Sequence, residues 1–235
     1  MKGTIVIPCL NSHEVVRRQL LWLDSWMKPF SKEWDLIIVD DGSVPAISIT
    51  TPKNFAARVI HIPLHPEKWT QPRARNVGGK AAQTSEFLFF ADVDHILTPE
   101  ALDDANCFRG DMLKFPRKTG ILNSEGKLLT NETDLIQFGA HKSELTPHRR
   151  VPISTCLIRK STHEIIGEFN ENLMGWYAPE DLDYRDRYDK HSLNGKCKRP
   201  STSRSVIYVF PNPRANRQKL FHSLRESKPA TRKTP

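Results

Sequence analysis

Five short runs of apolar residues place the tightest constraint on how this chain folds. They are GTIVIP (3–8), DLIIVD (35–40), ARVIHIP (57–63), EFLFFAD (86–92) and DMLKFP (111–116). Apolar residues on consecutive positions, bounded by turn residues, predict strands covered on both faces, not strands with one wet face. Between the first two runs, SHEVVRRQLLWLDSWM (12–27) carries Val15, Val16, Gln19, Leu20, Leu23 and Met27 on one helical stripe with one polar break. Ser12 is expected to cap that helix. PRARNVGGKAAQTS (72–85) is helical apart from its two glycines. Strand, helix, strand, loop, strand, helix, strand is the rhythm of an α/β open sheet, in which ligands sit at the carboxyl ends of the strands.

At 235 residues the chain suits one large domain or two small ones. No apolar stretch approaches the ~20 residues that cross a bilayer, and the run in MKGTIVIPCLNSHE is too short for a signal peptide. The expected location is the cytoplasm. Cys9, Cys107, Cys156 and Cys197 lie too far apart for a zinc site and read as reduced thiols. The formal charge of +8 first suggests nucleic acid, but residues 214–235 hold seven Lys and Arg against the single acid Glu226. The excess is a tail effect, so no nucleic-acid partner is expected. Contact of the basic tail with an anionic membrane is an open alternative to a merely solvated tail.

Acids stand where the open-sheet reading puts ligands. After the second run comes DDGS (40–43), where Asp40 or Asp41 is placed to accept hydrogen bonds from a base or ribose. After the fourth comes DVDH (92–95). Positions two apart in an extended segment share a side, so Asp92 and Asp94 both face a ligand while Val93 packs away. Paired carboxylates repel unless a cation offsets them, and such oxygen ligands suit Mg²⁺ or Mn²⁺. An Asp-rich turn leading into a cap at Thr98 is the plain alternative. Arg73 and Arg75 open the second helix, where anions are favoured. Gly78 and Gly79 cost that helix about 1 kcal/mol each relative to alanine, which points to a close backbone approach to the sheet. No GxxxxGK[ST] or GxGxxG occurs. In GWYAPEDLDYRDR (175–187), Pro179, Glu180 and Asp181 suit the first turn of a helix, and Asp183 with Arg187 is a favourable i,i+4 pair. From the residues alone, Glu180 and Asp181 are either a helix start or a catalytic pair.

In this order TIVIPCLN (4–11), IIVDDGS (37–43), ARNVGGKAA (74–82), FFADVD (89–94), IIGEFNE (165–171) and GWYAPEDLDYRDR resemble family 2 of the glycosyltransferases, over about residues 4 to 210. The acid pair is similar to that of galactosyltransferase-like members. The resemblance implies a GT-A fold, a Rossmann-like, mostly parallel central sheet flanked by helices. It divides the chain into one domain over 1–213, with a nucleotide-binding half at about 1–95 and an acceptor half at about 96–213, followed by the basic tail 214–235. It implies a UDP-sugar donor, a glycan or other hydroxyl acceptor, and Mn²⁺ or Mg²⁺ as cofactor. By residue, it implies that Pro8 borders the nucleotide pocket and that Asp40, with Asp41, holds uracil or ribose. Arg75 lies near the base or diphosphate, Asp92 contacts ribose and Asp94 ligates the metal. Trp176 forms an acceptor platform, Glu180 holds the acceptor and Asp181 is the base. The further metal ligand is open between Asn212, His222 and neither. His95 is a minor candidate, whereas His61 and His65 are expected to be structural or solvent-facing.

The implied reaction is inverting displacement of a nucleoside diphosphate by an acceptor hydroxyl. Two rivals are a sugar nucleotidyltransferase, which normally shows a Gly-rich loop absent from PCLNSHE, and a non-catalytic glycan- or nucleotide-sugar-binding protein on the same fold. The polar stretch 117–150 is expected to be a variable loop.

Overall fold

A computed structural model describes residues 2–66, 70–140, 145, 151–175 and 179–211. In chain order the first half runs β1 (Gly3–Cys9), α1 (His13–Trp26), β2 (Trp34–Asp40), β3 (Ala57–His61), α2 (Gln71–Ala81), β4 (Phe87–Phe90), β5 (His95–Ile96) and α3 (Pro99–Cys107). The second half adds β6 (Met112–Lys114), β7 (Arg117–Thr119), β8 (Ile121–Leu122), β9 (Leu128–Leu129), α4 (Glu132–Gln137), β10 (Cys156–Arg159), α5 (Lys160–Ile165), α6 (Pro179–Leu193), β11 (Ser201–Thr202) and β12 (Ile207–Val209). All five apolar runs contain strands, and both anticipated helices form.

Among the described residues the main sheet has seven strands in the order β11-β6-β10-β4-β1-β2-β3. Strands β4, β1, β2 and β3 are mutually parallel, and β10 runs antiparallel between β4 and β6. Alternation sorts the central strands between two apolar layers. Ile5, Ile7, Leu36, Ile38, Phe87 and Phe89 face the α1 side with Val16, Leu20 and Leu23. Val6, Ile37, Val39, Leu88 and Phe90 face the other side with Ala74 of α2 and Tyr184 and Tyr188 of α6. Both faces are thus covered, which is why these strands read as continuous apolar runs.

The two helix glycines explain themselves here. A Cβ on Gly78 would lie 2.3 Å from Val6 Cγ1, and one on Gly79 would lie 3.3 Å from Leu88 Cδ1. Helix α2 therefore presses its backbone onto the sheet, and the lost helix propensity allows that contact.

Two local expectations fail. Ser12 does not cap α1 with its side chain; its hydroxyl instead donates to Leu10 O at 2.8 Å. A serine hydroxyl bonding its own neighbouring backbone is the usual competitor of a cap. Nor is 117–150 simply a loop, since it contains β7, β8, β9 and α4. A second sheet of order β5-β12-β7 anchors this part. Its strands are two or three residues long, too short to show a period in sequence. Among the described residues no helix is long and apolar enough to cross a membrane.

Candidate active site

The loops after β1, β2 and β4 and the start of α6 meet at one rim of the main sheet. Strand β2 ends on Asp40, in register with Cys9 of β1. Pro8 is buried one position earlier, paired with Val39. The two aspartates after β2 divide their work. Asp40 is used internally: its Oδ1 accepts from Ser43 N–H at 3.0 Å, and its Oδ2 accepts from Ile47 N–H at 2.9 Å and lies 3.0 Å from His61 Nδ1. These bonds hold its carboxyl below the usual range although burial pushes the other way. Asp40 thus folds its own loop, with His61 as the structural residue anticipated. Asp41 is also buried, but only its Oδ2 is bonded, to the Thr70 hydroxyl. Its Oδ1 receives no hydrogen bond, and the Arg73 guanidinium stands 3.9 Å away. Burial raises the Asp41 pKa, opposed by Arg73. Of the two, Asp41 is the one with an acceptor to offer.

The turn after β4 is fixed by backbone pairing. Strand β12 pairs with β5, and Phe210 N–H donates to Asp94 O at 3.0 Å. Asp92, Asp94 and His95 each bring a ligand atom within 4.8 Å of the others. Val93 packs away against the core. His95 is buried; its Nδ1 accepts from Asp92 N–H at 3.2 Å and meets the Thr155 hydroxyl. An accepting Nδ1 puts the ring proton of the neutral imidazole on Nε2. That Nε2 lies 3.7 Å from Asp92 Oδ2 and 3.7 Å from Asp94 Oδ1. With its Nδ1 already engaged, His95 leaves the two hard oxygen ligands of Asp92 and Asp94 as the natural set for Mg²⁺ or Mn²⁺. The donor chemistry fits such a cation.

Arg75 joins this turn to the acid pair. It is fully buried, donating from Nη2 to Asp92 Oδ1 at 2.7 Å and from Nη1 to Asp181 Oδ1 at 2.8 Å. Its guanidinium also lies over the Phe169 ring at 4.8 Å. The two carboxylates hold its pKa above the ordinary arginine value against the opposing effect of burial. Sequence reasoning put Arg75 beside a ligand; in the folded chain it is already committed to two carboxylates. Gln71 of the same helix also donates to Asp92.

Helix α6 starts at Pro179 as anticipated, with Glu180 buried and Asp181 half-buried, and Asp183 pairs with Arg187 at 2.7 Å. A helix start alone would lower the Asp181 pKa. Instead burial raises it, opposed by Arg75 and Arg117 and reinforced by Asp92. Trp176, Asn212 and His222 lie outside the described residues.

One residue went unnoticed in the sequence. Arg117, at the start of β7, donates from Nη2 to the Ser154 hydroxyl at 2.5 Å and the Thr155 hydroxyl at 3.2 Å. Its charge interacts with Asp92, Asp94 and Asp181, which oppose the lowering of its pKa by burial. Only its position after a strand could have flagged it, and β7 is too short to be visible.

The β4 turn and the start of α6 thus meet on the buried Arg75 guanidinium, at the carboxyl edge of a mostly parallel sheet. Residues 4–105 match the family model described as Glycosyl transferase family 2. The fold is GT-A. TarS of S. aureus superposes with a TM-score of 0.60 at 19% identity, covering 95% of this chain and 39% of the TarS chain. TarS 1–349 in complex with UDP-GlcNAc gives 0.58 at 20% identity, covering 91% and 59%. The mannosyltransferase PcManGT from Pyrobaculum calidifontis, in complex with GDP-Man and Mn²⁺, gives 0.54 at 12% identity, covering 89% and 56%. The chain therefore spans well under two thirds of each of these proteins. No curated protein matches it in sequence.

Proposed function

We propose that this protein is a glycosyltransferase that moves a sugar from a UDP-sugar to an acceptor hydroxyl, with inversion, using a divalent cation and Asp181 as base. The observation that carries the reading is Arg75, which ties Asp92, beside the candidate cation site, to Asp181 at the start of α6. A donor-side acid and a base-side acid are thereby held on two ends of one guanidinium.

The roles follow from position and chemistry. Asp41 Oδ1 is the acceptor for an N–H of the nucleobase, while Asp40 and Pro8 shape the floor of that pocket. Asp94 and Asp92 would hold Mn²⁺ or Mg²⁺, which supplies charge to offset the leaving diphosphate. His95 stands behind both carboxylates, its Nε2 3.7 Å from each. Asp181 takes the proton of the attacking hydroxyl; a base opposite the leaving group gives inversion and contributes about 10² to 10⁴ in rate. Arg75 on Oδ1 opposes the rise that burial imposes on the Asp181 pKa and leaves Oδ2 to accept the proton. Glu180, adjacent on α6, is assigned to the acceptor, as is the Trp176 face. The nucleotide-binding half is about 1–95 and the acceptor half about 96–213. TarS with UDP-GlcNAc supports a UDP-sugar donor; PcManGT with Mn²⁺ supports the cation.

The test is release of UDP from a panel of UDP-sugars, with and without Mn²⁺. Metal-dependent release that is lost in Asp94→Ala supports the reading. Release unaffected by chelation and by Asp94→Ala refutes it.

A further inference from the structure

We propose that Arg117 is an anion-binding residue of this cleft, and that its guanidinium takes phosphate oxygens of the nucleoside diphosphate. The inference rests on the donor reading above and adds a residue to it.

The two arginines of the site, Arg75 fully buried and Arg117 partly so, differ in how they are held. Arg75 is neutralised by direct ion pairs to two carboxylates. Arg117 makes no ion pair among the described residues; its Nη2 is tethered by two neutral hydroxyls, Ser154 and Thr155. Both hydroxyls are themselves buried, Thr155 completely. The Nε of Arg117 is buried with no hydrogen-bond partner. An arginine fixed by hydroxyls keeps its full charge for an incoming anion, and its planar fork matches phosphate oxygens in pairs. An unpartnered buried donor is costly, so a ligand that satisfies it gains directly.

The tether also points Arg117 toward the cation site. Thr155 accepts from Arg117 and meets His95 Nδ1, and the His95 ring faces Asp92 and Asp94. Strand β7 is held in place by parallel pairing with β12, whose other neighbour is β5 at the end of the DVDH turn. Arg117 and the turn that carries Asp92 and Asp94 are therefore joined through one small sheet. The cleft also holds an excess of acid over base, counting Asp92, Asp94, Glu180 and Asp181 against Arg75 and Arg117. A dianionic ligand entering beside those carboxylates needs a cation that is not already spent, and Arg117 supplies it.

The test compares UDP with uridine, which has the base and ribose but no phosphate. Binding of each is measured by calorimetry in the presence of Mn²⁺ for the wild type, Arg117→Ala and Arg117→Gln. The glutamine variant keeps a neutral N–H donor at about the position of Nε and removes the charge and the terminal fork. The expected result is a loss of about 10- to 100-fold in UDP affinity in both variants, the range for a charge-assisted bond, with uridine binding unchanged. Unchanged UDP affinity in Arg117→Ala overturns the proposal. An equal loss of UDP and uridine, or a loss in Arg117→Ala fully restored in Arg117→Gln, assigns Arg117 a structural role and also overturns it. If the wild-type protein binds neither ligand, the UDP-sugar reading itself fails, an outcome distinct from the failure of Arg117.

Discussion

Replacing Arg75 by methionine removes the charge while keeping an apolar stem over Phe169. Two carboxylates then lose their cation, Asp92 at 2.7 Å and Asp181 at 2.8 Å. Breaking a buried ion pair typically costs 3–5 kcal/mol because the remaining charge is stranded. The Asp92 and Asp181 side chains are 22% and 24% exposed, so water recovers part of this. The low end, about 3 kcal/mol, is expected, which for a chain of this length corresponds to a drop in Tm of about 6–12 °C. The loss should also depend on pH. Stranded carboxylates have raised pKa values, so the cost is fully present at pH 7 and fades as acidification neutralises them. Arg75→Lys should fall between the two, because one ammonium cannot fork to both acids. Thermal melting of all three proteins at pH 7 and pH 5 tests the argument. A Tm for Arg75→Met within about 2 °C of wild type at pH 7, or a gap that widens on acidification, would refute it.

Gly78→Ala should destabilise by about 1–3 kcal/mol despite the better helix former, because the new methyl would meet Val6 Cγ1 at 2.3 Å. Urea denaturation should show Val6→Ala in the same chain restoring part of the loss, and strict additivity of the two changes would contradict the contact. His163 is buried against Tyr184, and burial pushes its pKa down to about 3. Its folded pKa lies below the unfolded value, so its contribution to stability is present above ~6.5 and is lost as pH falls toward 3. Between pH 7 and 5 the wild type should lose about 2 kcal/mol more than His163→Gln; parallel stability profiles would rule this out.

What the sequence displays and what it hides divide along physical lines. Strands β1, β2 and β4 were visible because both their faces are covered, which leaves runs such as IVIP and FLFF with no polar break. The Gly78–Gly79 pair was visible because it is expensive in a helix. Asp92, Asp94 and Asp181 were singled out by position; Arg75 pairs with both Asp92 and Asp181, and Asp94 lies in the same turn as Asp92. The division of labour between Asp40 and Asp41 was hidden, because it depends on how the 41–47 loop closes back on Asp40. The commitment of Arg75 to Asp181 was hidden too, since 106 residues separate them. Arg117 left no trace because its partners come from β10's approach and its strand is three residues long. Ser12 was misjudged as a cap because local hydroxyl bonds to Leu10 compete on equal terms.

The central claim is that Asp181 removes the acceptor's proton beside a bound nucleotide, and Asp181→Asn tests it most directly. The amide keeps the size of the side chain and an oxygen for Arg75, but it is not a base. With UDP and Mn²⁺ binding measured alongside sugar transfer, the account predicts binding within a few-fold of wild type and transfer reduced by about 10² to 10⁴. Transfer at close to the wild-type rate, with binding intact, would contradict it.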